Sequence, residues 1–289
     1  MIEWWMYAFL AVIFGTMFVM FRKKALVKVH AMNFEAARSL SVAFLCLFLI
    51  PFINLNISWQ ILLIVYGVSL MGTFAILLMS KSLRHNDVSL VAPLSNFRPA
   101  FVAVLAYFFL GESLTLTQIA GVVIILFTTY LLESDHHFSN FLEPIRNFIG
   151  NRYHYYFLLA VFIFSIATII DKYIVTYHLS IFTYYFLVWL FVAINFNFIH
   201  AWQFGIKDSL KCFKDLKYLP VLVAGFSFAK NLFALKALSM AYASLVTPVL
   251  MVETLFVVFV GGEFFHEQYR YFRFFVSALM LIGVYLIIM

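Results

Sequence analysis

The chain is a succession of long apolar runs with almost no charge, beginning with WWMYAFLAVIFGTMFVMF at residues 4–21. A helix needs about 20 predominantly apolar residues to cross the hydrocarbon core of a bilayer. Lipid offers no partner to a bare peptide group, so a spanning segment must satisfy its backbone within the protein. Ten runs meet or approach that length: residues 4–22, 32–51, 59–80, 88–110, 115–132, 155–174, 180–200, 218–239, 243–262 and 270–288. They are continuously apolar, whereas barrel strands would alternate, so helices are expected. Of the 289 residues 65% are hydrophobic and only 11% charged. A soluble domain carries about 25% charged residues. The expected class is an all-α integral membrane protein with ten transmembrane helices.

The net charge of +6 sits in short clusters between the runs. It therefore reads as topology and not as a nucleic-acid surface. Lys and Arg number 14 in the loops 22–30, 81–87, 133–154, 201–217 and 263–273, against Lys172 and Lys236 on the opposite side. The positive-inside rule then places those five loops in the cytoplasm and both termini outside. The N-terminal run has no charged region before it and is of spanning length, so it is expected to stay as a helix. Cys46 and Cys212 form no disulfide framework and no CxxC motif. His136, His137 and His154 lack metal-ligand spacing, and no phosphate-binding or hydrolase motif is present. No metal or cofactor is expected. The expected partners are a small-molecule solute and the lipid bilayer, with no nucleic acid; the chain can act as monomer or homodimer.

The sequence also repeats itself. A shift of 155 carries KSLRHNDVSLVAP at 81–93 onto KALSMAYASLVTP at 236–248, with six identities: Lys81/Lys236, Leu83/Leu238, Ser89/Ser244, Leu90/Leu245, Val91/Val246 and Pro93/Pro248. The same shift carries Glu112 onto Glu267. A shift of 148 carries Lys24 onto Lys172 and His30 onto His178. Each half holds five runs, giving a division into 1–132, an interfacial linker at 133–154, and 155–289. An odd number of helices sends the second copy in from the opposite side, so the expected fold is two inverted five-helix repeats. That arrangement is typical of secondary transporters, which bind solute between the repeats near mid-membrane.

The segment RHNDVSLVAPLSNFRPAFVAVLAYFFLGESLTLTQIAGVVIILFTTYLL at 84–132 resembles the EamA-type branch of the drug/metabolite transporter superfamily. It shows the S-x-x-x-P turn, the apolar helix, GE, and the Q-x-x-G helix start of that pattern. The second copy keeps SLVTP but has HE at 266–267 and lacks Q-x-x-G. The EAAR at 35–38 and the lysines ending the first helix are also similar. The resemblance implies ten helices and transport of small organic solutes by proton coupling, exchange or facilitated flux. It also implies termini inside, against the charge rule.

Charges within the runs are the candidate site. A charged side chain at mid-bilayer costs roughly 2.5–3.5 kcal/mol on insertion scales, so a partner or a polar interior must offset it. Arg98 and Glu253 occupy matching positions in the fourth and ninth runs and are expected to converge on one central space. Lys230 and Asn231 lie mid-run in the eighth. Arg98, Lys230 and Glu253 sum to plus one, which suits a solute with a carboxylate or phosphate. Glu253 is also the candidate for proton coupling. Glu35 and Arg38 share a helix face and are read as an internal salt bridge or part of the site wall. Lys81 and Lys236 lie near helix ends, where long side chains snorkel to the headgroups. Glu112 and Glu267 are expected in capping roles, and Thr115 and Gln118 have capping-box spacing. Pro93 and Pro248 each remove a helix hydrogen bond and are candidate kinks or hinges. Trp189, Tyr184 and Tyr185 are candidates for stacking on a solute ring.

The function expected is a secondary transporter moving a small polar metabolite, such as an amino acid or nucleoside, through a central polar cavity by alternating access, in the plasma or inner membrane. The alternative is a translocator of lipid or lipid-linked sugar, which needs a lateral opening. A membrane-embedded enzyme would need paired catalytic groups near an interface, and the mid-membrane charges do not suit it.

Overall fold

A computed structural model describes residues 3–26, 28–85, 97–133, 152–205, 212–253, 255–257 and 270–289, and these contain no strand. The helices are α1 (Trp4–Leu26), α2 (Ala31–Cys46, continued by a 3-10 segment Leu47–Phe52), α3 (Trp59–His85), α4 (Phe97–Leu110), α5 (Leu116–Glu133), α6 (Arg152–Tyr177), α7 (Ile181–Phe204), α8 (Leu219–Met240), α9 (Ala243–Leu250) and α10 (Arg270–Ile288). Among the described residues six stretches are long and apolar enough to cross a membrane: α1, Ala31–Phe52, α3, α6, α7 and α8, while α4, α5 and α10 contain shorter apolar helices. Pro93, Glu267, His136 and His137 lie outside the described residues.

Local chemistry sets the helix starts. Ser180 caps α7 by accepting from the Thr183 N–H at 3.2 Å. At α5, the Gln118 N–H donates to Thr115 Oγ1 while the Thr115 N–H donates to Gln118 Oε1, at 3.3 and 3.1 Å. This reciprocal pair satisfies two otherwise orphaned groups. Pro248 sits inside α9, and the chain just beyond it tightens: the Met251 and Val252 N–H groups bond three residues back, to Pro248 and Val249. Glu253 follows that turn.

Packing between helices shows a two-fold pattern. With α1–α5 equivalent to α6–α10 in order, the α1/α8 contact matches α3/α6, α2/α8 matches α3/α7, and α4/α6 matches α1/α9. The pairs α2/α7, α4/α9 and α5/α10 are their own equivalents. Lys81 of α3 lies over Tyr156 of α6 and Lys236 of α8 over Tyr7 of α1, at 5.2 and 5.9 Å, so a matched pair of lysines makes matched cation–π contacts. The α5/α10 contact is backbone to backbone: a Cβ on Gly121 would stand 2.6 Å from the Gly283 carbonyl oxygen. Lipid gives no hydrophobic drive between helices, so close packing through small residues carries such contacts.

Polarity is distributed accordingly. Thr16, Ser41, Thr73, Ser165 and Thr247 are buried. Each returns its hydroxyl hydrogen to the carbonyl four residues earlier. Phe108, Phe109 and Leu116 are largely exposed, as suits a face toward lipid.

One carboxylate joins the halves. Glu112, just past α4, is buried and accepts from the Ala243 N–H (2.8 Å), the Ser244 N–H (3.0 Å) and the Ser244 hydroxyl (2.6 Å) at the start of α9. Lys172 Nζ of α6 stands 3.7 Å from the same carboxylate and donates to the carbonyls of Leu238 and Ala241 at the end of α8. A first-half carboxylate thus caps a second-half helix, where the helix dipole favours negative charge. Each buried donor left without an acceptor costs about 1–3 kcal/mol. Glu112→Ala is therefore expected to lower the thermal midpoint of the purified protein clearly. Glu112→Gln, which keeps one carbonyl oxygen, should lower it less, and an unchanged midpoint in Glu112→Ala would contradict the joint.

Candidate functional site

Near the middle of α8 the sequence SFAKN presents Ser227, Lys230 and Asn231 to the interior. Lys230 Nζ forms an ion pair of 2.6 Å with Glu253 Oε2, with side chains 24% and 13% exposed. Gly15 of α1 lies directly against this pair: a Cβ there would stand 2.1 Å from Glu253 Oε2, so the carboxylate would have to shift. One turn along α1 the Phe18 ring is approached by three cations: Lys230 at 5.5 Å, Arg38 at 5.6 Å and Arg22 at 5.8 Å. A ring face attracts cations through its quadrupole, so Phe18 helps hold three like charges near one another.

Glu35 supplies the opposite charge. It is 2% exposed and lies 2.7 Å from both Arg22 Nη2 and Arg38 Nε. A buried carboxylate requires this kind of pairing, since stranding one buried charge costs about 3–5 kcal/mol. Arg38 also donates to Ser227 Oγ at 3.1 Å and lies 5.1 Å from the Trp189 ring of α7. Asn231 donates to the same Ser227 oxygen at 3.4 Å. Trp189 is thus engaged by Arg38. Tyr184 and Tyr185 are buried in the core, with Tyr185 edge-on to Phe228. Neither tyrosine presents an open face for stacking.

Arg98, at the start of α4, is turned onto α6. Its Nη2 donates to Thr168 Oγ1 at 3.1 Å, and its guanidinium lies 5.6 Å from the Phe164 ring. Its Nε is buried without a hydrogen-bond partner. Two carboxylates feel its charge, Asp171 first and Glu253 second. Asp171, one turn beyond Thr168, accepts from the Tyr184 hydroxyl. The sequence expectation of Arg98 and Glu253 converging thus takes a specific form. Their charges interact, but no ion pair joins them, because Glu253 is taken by Lys230.

Sequence reading passed over Asp171, Arg22 and Gly15. Asp171 had a signal, a carboxylate within the sixth apolar run. Arg22 stands at the edge of the first apolar run, where it reads as the start of a loop, whereas α1 continues to Leu26. Gly15 carries no signal in one dimension, since its role is to make room for a residue 238 positions away.

A bundle of membrane-length helices around a buried ionic core is the build of a multi-pass membrane transporter. The EamA-like transporter family matches residues 2–134 and 151–289, the whole chain in two halves, and the chain belongs to that family. Its members are transporters of the drug/metabolite superfamily, not enzymes. A solved structure described only as "Crystal structure of protein" superposes with a TM-score of 0.70 over 97% of this chain and 94% of that one, at 13% identity, which shows a shared fold. No curated protein matches the sequence.

The Gly15–Glu253 contact gives a direct check. Gly15→Ala is expected to push the carboxylate off Lys230 and lower thermal stability, but to cost little when Glu253 is already alanine. A double-mutant cycle should yield a coupling of about 0.5–3 kcal/mol, as for residues in contact. Additive effects would refute the contact.

Proposed function

We propose that this protein is a secondary transporter of a small polar organic solute, with ten spans arranged as two inverted five-helix repeats, 1–132 and 155–289, joined by an interfacial linker. The observation that carries this reading is the set of ionic and polar groups drawn from both halves onto one interior. Arg22, Glu35, Arg38 and Arg98 come from the first half, and Lys230, Asn231 and Glu253 from the second. Intramembrane charges are expensive and mark solute or ion paths. A repeat interface is where such transporters bind, and rocking one repeat against the other exposes the site to each side in turn.

In this reading Arg98, Lys230, Glu253 and Asn231 contact the solute, while Glu35 and Arg38 form the supporting wall. Glu253 is the proton-exchanging group, because protonating it would release Lys230. Pro248 and Pro93 are the flexible points of their helices. The protein resides in the plasma or inner membrane.

Thermal-shift screening of the purified protein against amino acids, nucleosides, organic cations and phosphorylated metabolites tests the reading, since a ligand that binds only the folded form raises apparent stability. The expected hit is lost in both Arg98→Ala and Glu253→Ala, and a hit indifferent to both would sink the site. In proteoliposomes the same solute should be transported with altered pH dependence by Glu253→Gln. An unchanged pH profile would remove the proton role.

A further inference from the structure

The chain breaks between α8 and α9: α8 ends at Met240, α9 starts at Ala243, and only Ala241 and Tyr242 lie between. A break of this kind opens two sets of backbone groups, carbonyls at the end of one helix and N–H groups at the start of the next. The N–H set is answered by Glu112, which caps α9. The carbonyl set is answered by Lys172 of α6. Its Nζ donates to the Leu238 carbonyl at 3.0 Å and to the Ala241 carbonyl, and it stands 3.7 Å from Glu112 Oε1. The end of α8 adds the negative pole of its dipole. Among the described residues, then, two carbonyls, one carboxylate oxygen and a helix C-terminus converge on a single positive charge. Backbone carbonyls in such a cluster can replace the hydration shell of an alkali ion. Unwound carbonyls and half-helix C-terminal ends hold the coupling cation in many secondary transporters. Here a side chain fills that place.

We propose that the α8/α9 break is a monovalent-cation site whose resident cation is the chain's own Lys172 ammonium group. The proposal goes beyond the transporter reading and does not depend on which solute is carried. An ammonium group is close to a potassium ion in size, and it has donors but no acceptor, so oxygens alone satisfy it. Being tethered, it stays at the break whatever the ionic composition outside, and the break takes no coupling ion from solution. The site survives loss of its occupant. Glu112 keeps its three donors from α9 when Lys172 is shortened, so its carboxylate stays in place beside the open carbonyls. The Lys172 side chain is 13% exposed, and Tyr242, next to Ala241 in the chain, is 44% exposed. A small cation can therefore reach the place that the lysine leaves.

The test is the thermal midpoint of purified full-length Lys172→Ala in chloride salts of sodium, potassium, propylammonium and tetramethylammonium at equal ionic strength. Propylammonium is the part of the lysine that the substitution deletes, whereas tetramethylammonium is bulkier and has no N–H. Lys172→Ala should lower the midpoint. Propylammonium or an alkali ion should recover at least half of the loss, saturably, because a ligand that binds only the folded form raises apparent stability. The wild type should gain nothing comparable, and Lys172→Met, which fills the space without a charge, should be lowered and not rescued. Adding Glu112→Gln to Lys172→Ala should weaken the rescuing cation tenfold or more, which a purely packing role for Lys172 would not produce. The proposal is overturned if Lys172→Ala is as stable as the wild type, if neither propylammonium nor an alkali ion rescues it, if tetramethylammonium rescues equally, if the wild type or Lys172→Met gains as much, or if Glu112→Gln leaves the rescue unchanged. Where Lys172→Ala does not fold in ordinary buffer, it is purified with propylammonium or potassium present throughout: folded protein recovered only then supports the site, and none recovered overturns it. A solute screen without hits would leave this result untouched.

Discussion

In the bilayer core no water is available to answer a charge, and the interior of this protein is organised by that constraint. Three carboxylates deep in the described helices are each met by a particular group on another element: Glu35 by Arg22, Glu253 by Lys230, Asp171 by the Tyr184 hydroxyl. These contacts fix how α1, α2, α6, α7 and α8 face one another, because rotating any of them would strand a charge. In water the same pairs would be worth little, since exposed ion pairs contribute about 0–1 kcal/mol. Here the alternative to pairing is an unanswered charge, so pairing sets helix register.

The halves are held together at different depths by different means. Along α5 and α10 the contact is steric, glycine against carbonyl. At the junction of α4 with α9 it is a buried carboxylate cap with a lysine alongside. In the interior it is charge-assisted hydrogen bonding, from Arg38 to Ser227 and from Arg98 to Thr168. A transporter needs some contacts between its halves to persist and others to exchange. The glycine seam is held by close steric contact, whereas the interior charges can trade one partner for another. In the proposed reading, a ligand with charges of its own would act on the second kind and so bias the two halves.

Several interior contacts were legible in one dimension. Mid-run charges at Arg98, Lys230 and Glu253 stand out against apolar neighbours, and the spacing of Glu35 with Arg38, like that of Thr115 with Gln118, is set by the turn of a single helix. Contacts between helices were not. That Glu253 takes Lys230 and not Arg98 depends on how α8 and α9 are rotated, and apolar runs that face lipid on one side and protein on the other carry little periodic signal. Asp171 shows the same limit from the other direction: a carboxylate visible in the sequence acquires a role only when α7 brings Tyr184 to it and α4 brings Arg98.

The sequence by itself determined the class of protein, the approximate positions of its helices and its division into two related halves, because a bilayer imposes length and polarity on each segment separately. Tertiary structure alone decided which charges pair and which glycine lies against a carboxylate. Those outcomes depend on distances between residues as far apart as Gly15 and Glu253, and no local rule of helix or hydropathy contains them.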